Sequence, residues 1–484
     1  MIINVRLARP LTFKFLLSVS ALLAGCASAP SYTKPALDMP VTWQTQAPWR
    51  VIAPKDQAAK GPWWERFEDA QLNALEQQAM LNNQTLAAAN ARLAQARATL
   101  ASTSASLFPQ LSVGTRVANQ RISANRPWSK NNTPNFSTIQ NDIVPSLAVS
   151  YEVDLAGRVQ SLVEGASASA EQSAADLENT KLLLTAELAV NYFNLRALDA
   201  DLDVLSKSID LQKKLLLLAT HRHDLGATSG LEMAQQQALL DSTLSQVFLL
   251  KRQRAVFEDA IATLTGTPAP QFSIAAQAGL ASPPDVPLGI PSDVLERRPD
   301  VALAERAMAA ANAQIGVANA AFYPSVIVGP SFGLDSTSLP KLFSAPSMVW
   351  SLGVSATQVL FDGGRIKANL DFSRAGYDLT VANYRRVVLT AMQEVQDGIS
   401  GVASLDLAYQ QTLAAVKSAN KVFEIANERY EGGIANYLDV ITAQQTLLTS
   451  ERQASQILGQ RLVTTVVLIK ALGGGWQAQA STAP

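Results

Sequence analysis

Arg222-His223-Asp224-Leu225-Gly226, followed by Leu231-Glu232 and Gln237, returns as Arg429-Tyr430-Glu431-Gly432-Gly433, followed by Leu438-Asp439 and Gln444. Every pair is separated by 207 residues. The same offset carries Gly157-Arg158 onto Gly364-Arg365, within Asp154-Leu155-Ala156-Gly157-Arg158 and Phe361-Asp362-Gly363-Gly364-Arg365. Upstream, Phe108-Pro109-Gln110-Leu111-Ser112-Val113-Gly114 recurs as Tyr323-Pro324-Ser325-Val326-Ile327-Val328-Gly329, at a slightly larger offset. An insertion between strands explains the change. A period this long describes one structural unit written twice.

Each unit opens with an alanine-rich helical stretch, about 84–107 and about 299–322, and a proline stops each, at Pro109 and Pro324. Pro299 and Asp300 suit a first helical turn. Strands follow. Ile143, Leu147, Val149, Tyr151 and Val153 alternate with Ser146, Ser150 and Glu152 over 143–153. Trp350, Leu352, Val354 and Ala356 alternate with Ser351, Gly353, Ser355 and Thr357 over 350–357. Period two with one apolar and one polar face is a sheet signature. Residues 123–142 read as a polar loop, and 335–347 as its counterpart.

A long helix comes next. Leu184, Leu188, Asn191, Leu195, Leu198, Leu202, Leu205, Ile209, Gln212 and Leu216 keep four-three spacing. Ala391, Val395, Gly398, Val402, Leu405, Tyr409, Thr412, Val416, Ala419 and Phe423 repeat it in register. A sustained seam of this kind means coiled-coil packing on a neighbouring helix. From about 164 to 224 the rod would be about 90 Å long at 1.5 Å per residue. Each rod ends at a glycine turn, Gly226 or Gly432-Gly433, and a second helix runs back.

Bulk properties remove several classes of function. The chain has 484 residues, a formal net charge of −1, 6% aromatic and 48% hydrophobic residues. A nucleic-acid binder would carry a basic stripe. With two histidines and one cysteine there is no intramolecular disulfide and no thiolate-based metal site. His221 and His223, two apart on a helix, point to different sides and read as exposed tip residues rather than a metal pair. No nucleophile elbow or phosphate loop accompanies Gly363-Gly364 or Gly473-Gly474-Gly475, so no enzyme is expected.

The cysteine is informative through its position. Arg6, Arg9 and Lys14 precede an apolar core, Phe15 to Ala24, too short to span a bilayer. The core ends in Leu23-Ala24-Gly25-Cys26, which resembles a bacterial lipobox. The reading removes 1–25 and places a lipid on Cys26. An ordinary secreted protein with a chance cysteine is the plainer alternative. By resemblance to bacterial lipoproteins, Ala27 in place of aspartate favours outer-membrane retention.

Two strands per half cannot close a membrane barrel, since known barrels start at about eight strands. Sheet edges in a bilayer must be paired. If these strands enter a membrane, several chains supply one barrel, and the hairpins continue the tube.

The chain resembles the TolC-like outer-membrane factor family, in its lipoprotein branch serving resistance-nodulation-division efflux pumps. The resemblance covers most of the mature chain. Its residues are Trp63-Trp64 with Phe67 and Leu72; Leu295-Glu296-Arg297-Arg298-Pro299-Asp300; Ile315-Gly316-Val317-Ala318 before Phe322-Tyr323-Pro324; Phe361-Asp362-Gly363-Gly364-Arg365; and the tip Arg429 to Asp439. It implies a mainly α protein with a small β portion: a homotrimer whose twelve-stranded outer-membrane β-barrel continues into a periplasmic α-helical barrel. The expected organisation is a lipoprotein signal peptide (1–25), an extended N-terminal segment (26–62), a first repeat of helices, two strands and a long hairpin (63–265), an equatorial connector (266–295), a second repeat (296–472) and a flexible tail (473–484).

The resemblance also implies site residues. Leu438 and Asp439 would ring the periplasmic mouth, with Glu232 as the counterpart of Asp439. Relatives often carry another acid where this chain has Thr442 and a base where it has Gln445, so the gate would hold fewer ionic contacts. The plain alternative makes Glu232 and Asp439 solvated residues at helix starts. Gly226, Ala227, Gly433 and Ile434 would meet a periplasmic adaptor, or simply turn the chain. The expected partners are two further copies, that adaptor, an inner-membrane efflux transporter and outer-membrane lipid, with no cofactor besides the lipid on Cys26. The leading expectation is a passive exit duct for small toxic compounds. A type I protein-secretion duct and a structural envelope-spacing lipoprotein are the alternatives.

Overall fold

A computed structural model describes residues 61–125, 137–286 and 297–474. Helices α1 (Ala70–Asn82) and α2 (Gln84–Ser104) lead into strands β1 (Gln110–Ile122) and β2 (Thr138–Val153). Helices α3 (Arg158–Asp224) and α4 (Gly230–Leu264) form the first hairpin. Helix α5 (Pro299–Ala320), strands β3 (Ser325–Leu334) and β4 (Met348–Thr357), and helices α6 (Arg365–Glu431) and α7 (Tyr437–Ala471) repeat the order. The duplication is metrically strict: α3 and α6 each have 67 residues, α4 and α7 each have 35, and both pairs start 207 residues apart. Cys26, the signal segment and nearly all of the tail lie outside the described residues. No helix among the described residues is long and apolar enough to cross a membrane.

Two compact units emerge, each built from both repeats. Among the described residues, the first holds 94–125, 137–172 and 304–383, and with them the four strands. The strand order is β1-β2-β3-β4, antiparallel throughout, and β1 and β4 each have one unpaired edge. The register lines up one apolar face: Val113 opposes Leu147, Leu147 opposes Phe332, and Phe332 opposes Trp350. The next row on the other face is Ser112, Ala148, Ser331 and Ser351. Opposed residues share a face because side chains alternate. Gly333 is required where the strands press together, since a Cβ there would lie 2.6 Å from the Pro145 carbonyl oxygen.

The polar loop expected at 123–142 is shorter than the sequence suggested. Residues 138–142 belong to β2, where Asp142 takes hydrogen bonds from Arg116 at 2.5 Å and Gln120 at 3.1 Å. Polarity there marks one face of a strand, not a turn. The long helix likewise begins at Arg158, ahead of the expected 164.

Among the described residues, the second unit holds 61–93, 173–286, 297–303 and 384–474. Its core packs Leu184, Leu188, Leu195, Val395, Ile399, Leu462 and Val466 around Trp63, Phe67 and Tyr192. The seam residues Leu184, Leu188, Leu195, Leu205 and Ile209 are buried, as the four-three spacing requires. Small residues bring backbones close: a Cβ on Gly459 would sit 2.5 Å from Ala197 Cβ, and one on Gly398 2.9 Å from Leu468 Cδ1. The Arg-Arg-Pro-Asp motif also acquires a role. Arg298, buried, reaches Asp300 at 2.7 Å, Glu394 at 2.8 Å and the Ala471 carbonyl at 2.9 Å, tying the start of α5 to α6 and the end of α7.

The segment after α4 is held by two further arginines, Arg196, which is buried, and Arg254, which is half-buried. Arg254 donates to Asp199 and to the Ile274 carbonyl, both at 2.6 Å. Arg196 donates to Asp199 at 3.0 Å and to the Ala275 carbonyl at 2.9 Å. Side chains thus pair the Ile274 and Ala275 carbonyls, and Glu258 accepts from the N–H of the buried Ile274 at 2.5 Å, which fixes an otherwise exposed irregular segment to the helices.

Candidate functional site

Both hairpin tips close with the same backbone device. Gly226 has φ +72° and donates to the His223 carbonyl at 2.8 Å, and Ala227 donates to the Arg222 carbonyl at 2.8 Å. Gly433 has φ +71° and donates to Tyr430 at 3.0 Å, and Ile434 donates to Arg429 at 2.8 Å. Glycine suits this position because of its positive φ, which residues with a side chain rarely adopt, although the space around each Cβ position is open. Gly226, Ala227, Gly433 and Ile434 are all exposed.

Side chains break the symmetry that the backbone keeps. Tyr430 and Tyr437 take the places of His223 and Gly230 at the offset of 207. Both tyrosines are buried, and their rings lie 5.0 Å apart. Tyr430 donates to Glu232 at 2.7 Å, and Tyr437 donates to Gln236 at 2.8 Å. Arg222 stacks 4.6 Å above the Tyr430 ring. Gln236 passes the connection inward to the Gln212 carbonyl at 3.1 Å, and Gln212 donates to Thr243 at 3.0 Å. Leu215, Val440 and Ile441 pack around the tyrosines. Burial, then the bond to Glu232, raises the Tyr430 phenol above its usual pKa, so it stays a proton donor.

Glu232 and Asp439, paired by sequence, therefore stand in different surroundings. Each lies in the first turn of its helix, where a carboxylate is stabilised by the dipole. Glu232 is half-buried and bonded to Tyr430; Asp439 is exposed. Leu438 is also exposed, at 53%, and Asn436 caps α7 by accepting from its N–H at 3.2 Å. Thr442 is exposed, with its hydroxyl donating to the Leu438 carbonyl at 2.8 Å. Leu438, Thr442 and Gln445 share one solvent-facing side of α7 at four-three spacing. His221 and His223 are exposed, and no metal-ligating cluster occurs among the described residues.

Sequence reasoning passed over Tyr430, Tyr437, Gln236 and Arg222. The available signal was the mismatch between tips, where aromatic residues occupy one copy of the repeat alone.

The sheet is the other candidate surface. Val113, Val117, Trp350, Leu352 and Val354 leave large apolar side chains exposed, from 68% to 82%. An apolar face this continuous marks contact with lipid or protein.

Comparison with known proteins covers almost the whole chain. The family model described as outer membrane efflux protein matches residues 75–267 and 290–474. The pyoverdine export outer membrane protein OpmQ of Pseudomonas aeruginosa is 31% identical over 468 residues, covering 96% of this chain and 97% of that one. The toluene efflux pump outer membrane protein TtgC of Pseudomonas putida is 31% identical over 483 residues, with 96% of each covered. Among solved structures, the outer-membrane channel OprN superposes with a TM-score of 0.85 at 26% identity, over 94% of this chain and all of that one. The Campylobacter jejuni CmeC outer membrane channel gives a TM-score of 0.85 at 25% identity, over 94% and 97%.

Proposed function

This chain belongs to the outer membrane efflux protein family, and from that membership we propose that it is the exit duct of a tripartite efflux pump, assembled from three copies. The observation that supports it is the open sheet. Four antiparallel strands, apolar on one face and unpaired at both ends, cannot stand alone in a bilayer. Three copies supply a closed barrel of twelve strands, with the polar row of Ser112, Ser331 and Ser351 turned to the lumen.

On this reading the duct is passive. A membrane pump and its periplasmic adaptor supply energy and selectivity, and the adaptor meets Gly226, Ala227, Gly433 and Ile434. Leu438 and Asp439 ring the closed mouth, one pair from each copy. Glu232 is held aside by Tyr430 and contributes to closure through that bond. Thr442 adds no charge, so repulsion among the Asp439 carboxylates is the main ionic feature of the mouth. The lipid on Cys26 anchors each copy to the outer membrane. Relatives are named for pyoverdine export and for toluene efflux, and the cargo proposed here is likewise a small molecule.

Deletion followed by a toxic-compound panel tests the duct. Intracellular accumulation of at least one small compound is expected, reversed by the wild-type gene. Loss of an exported protein with no accumulation would favour the secretion alternative. Asp439→Ala should raise single-channel conductance, and unchanged conductance removes Asp439 from the gate. Radiolabelled palmitate should enter the wild type and not Cys26→Ser.

A further inference from the structure

Near the second tip, the buried stripe of α7 runs Tyr437, Val440, Ile441, Gln444, Leu447 and Leu448 at heptad spacing. Gln444 is the one amide in that row. It is 2% exposed, and neither its amide nitrogen nor its amide oxygen has a hydrogen-bond partner among the described residues. Its counterpart 207 residues earlier, Gln237, is exposed and donates to Asp241 at 2.9 Å. Both repeats supply a glutamine here, and the packing of the second hairpin alone buries it.

Helix register shows what faces Gln444. Tyr437 shares a buried cluster with Leu215, and further along α7 Arg452 reaches Asp201 at 2.7 Å. Residue numbers rise along α7 as they fall along α3, so the two helices run antiparallel. Gln444, midway between Tyr437 and Arg452, is therefore level with Ser208 of α3. One turn nearer the tip lies Gln212, wholly buried. Its amide nitrogen donates to Ser208 at 3.2 Å and to Thr243 at 3.0 Å, while its amide oxygen has no partner. An unpaired donor and an unpaired acceptor are thus buried about one helical turn apart. A polar group shut away from water without a partner is destabilising. This arrangement of the tip therefore carries a fixed penalty, set against the Tyr430–Glu232 bond that holds it.

We propose that Gln444 biases the mouth towards opening: its unpaired amide destabilises the closed tip, and a shift of α7 along α3 by about one turn pairs it with the Gln212 oxygen. The inference rests on the reading of Leu438 and Asp439 as the closed mouth, and it names a side chain that works against closure. Position supports it. Leu438 and Asp439 lie in the first turn of α7, so the helix that carries the mouth residues also carries the unpaired amide. Polarity supports it too. An amide in an apolar heptad seam fixes register when it meets a partner across the seam. Gln444 meets none in this arrangement, so its amide favours any displacement that supplies one. Tyr430 and Gln444 then act in opposite senses on a single equilibrium.

Planar-bilayer recording of the purified full chain tests this. Gln444→Leu removes the amide at similar volume and should lower the open fraction at least fivefold while raising the thermal unfolding midpoint. Gln444→Met, a second apolar replacement, should act in the same sense on both. Gln237→Leu, at the equivalent exposed position, should change neither. The double-mutant cycle of Gln212→Leu and Gln444→Leu should be non-additive in open fraction; additive effects overturn the pairing with Gln212. A raised midpoint with an unchanged open fraction makes Gln444 a packing defect alone and overturns the bias. A raised open fraction overturns it as well, since the amide would then be holding the tip shut. In both of those cases the duct reading stands. A wild-type protein that forms no channel overturns both.

Discussion

The Tyr430 phenol and the Glu232 carboxylate, 198 residues apart in sequence, lie 2.7 Å apart and join the tips of the two helical hairpins. A hydrogen bond to a charged acceptor contributes on the order of 1.5–3 kcal/mol. Its removal therefore shifts a two-state tip by roughly tenfold to a hundredfold. Tyr430→Phe keeps the buried ring and its stacking with Arg222. Planar-bilayer recordings should show a larger open fraction for this variant, with unchanged protein abundance. An identical open fraction would assign the bond to packing alone.

Glu76 on α1 is wholly buried, and neither carboxylate oxygen has a hydrogen-bond partner among the described residues. Burial pushes its pKa up from 4.5 to about 9. The folded chain therefore holds the neutral acid, while the unfolded chain ionises near the ordinary value. Stability is greatest below the unfolded value and falls as pH rises from about 4.5 towards 9, by at most about 1.4 kcal/mol per pH unit from this group. Glu76→Gln should flatten the dependence of the unfolding midpoint across that window. Glu76→Leu should raise the midpoint at pH 8 more than at pH 5. Equal shifts at both values would contradict the buried-acid assignment.

Arg298 links Asp300, Glu394 and the Ala471 carbonyl. Both carboxylates keep 31% of their side-chain surface exposed, so their loss of a partner is softened by water. Arg298→Ala should cost about 2–4 kcal/mol, chiefly from the orphaned buried groups. Arg298→Lys should recover less than half, because an ammonium cannot span the planar arrangement. Denaturant midpoints of the two variants measure this, and a full rescue by lysine would refute the geometric argument.

Gly459 and Ala197 mark a close crossing of α7 and α3, with 2.5 Å left for a Cβ. Gly459→Ala should cost about 1–3 kcal/mol from overpacking. Adding Ala197→Gly should restore most of that loss, since it clears the space that the new methyl group needs. Thermal unfolding of the single and double variants reads the coupling directly. Additive effects would show that the crossing tolerates the methyl group elsewhere.

The sequence by itself determined the repeat, the paired rods and the glycine turns. Those features are local: four-three spacing, period two and left-handed glycine each depend on residues close along the chain. It also placed Leu438, Asp439 and Thr442 on the second hairpin tip and matched Glu232 to Asp439 by the offset of 207. The tertiary structure decided what symmetry had hidden. Glu232 meets Tyr430 while Asp439 faces solvent, because a buried phenol was present in one repeat alone. Asp142 became a strand residue because Arg116 and Gln120 across the ladder satisfy it, and no count of polar residues foretells a cross-strand partner. The same logic separates Gln237 from Gln444. They are equivalent in sequence, yet one is exposed and the other is buried in its seam, since pairing of faces is a property of packed helices and not of a period.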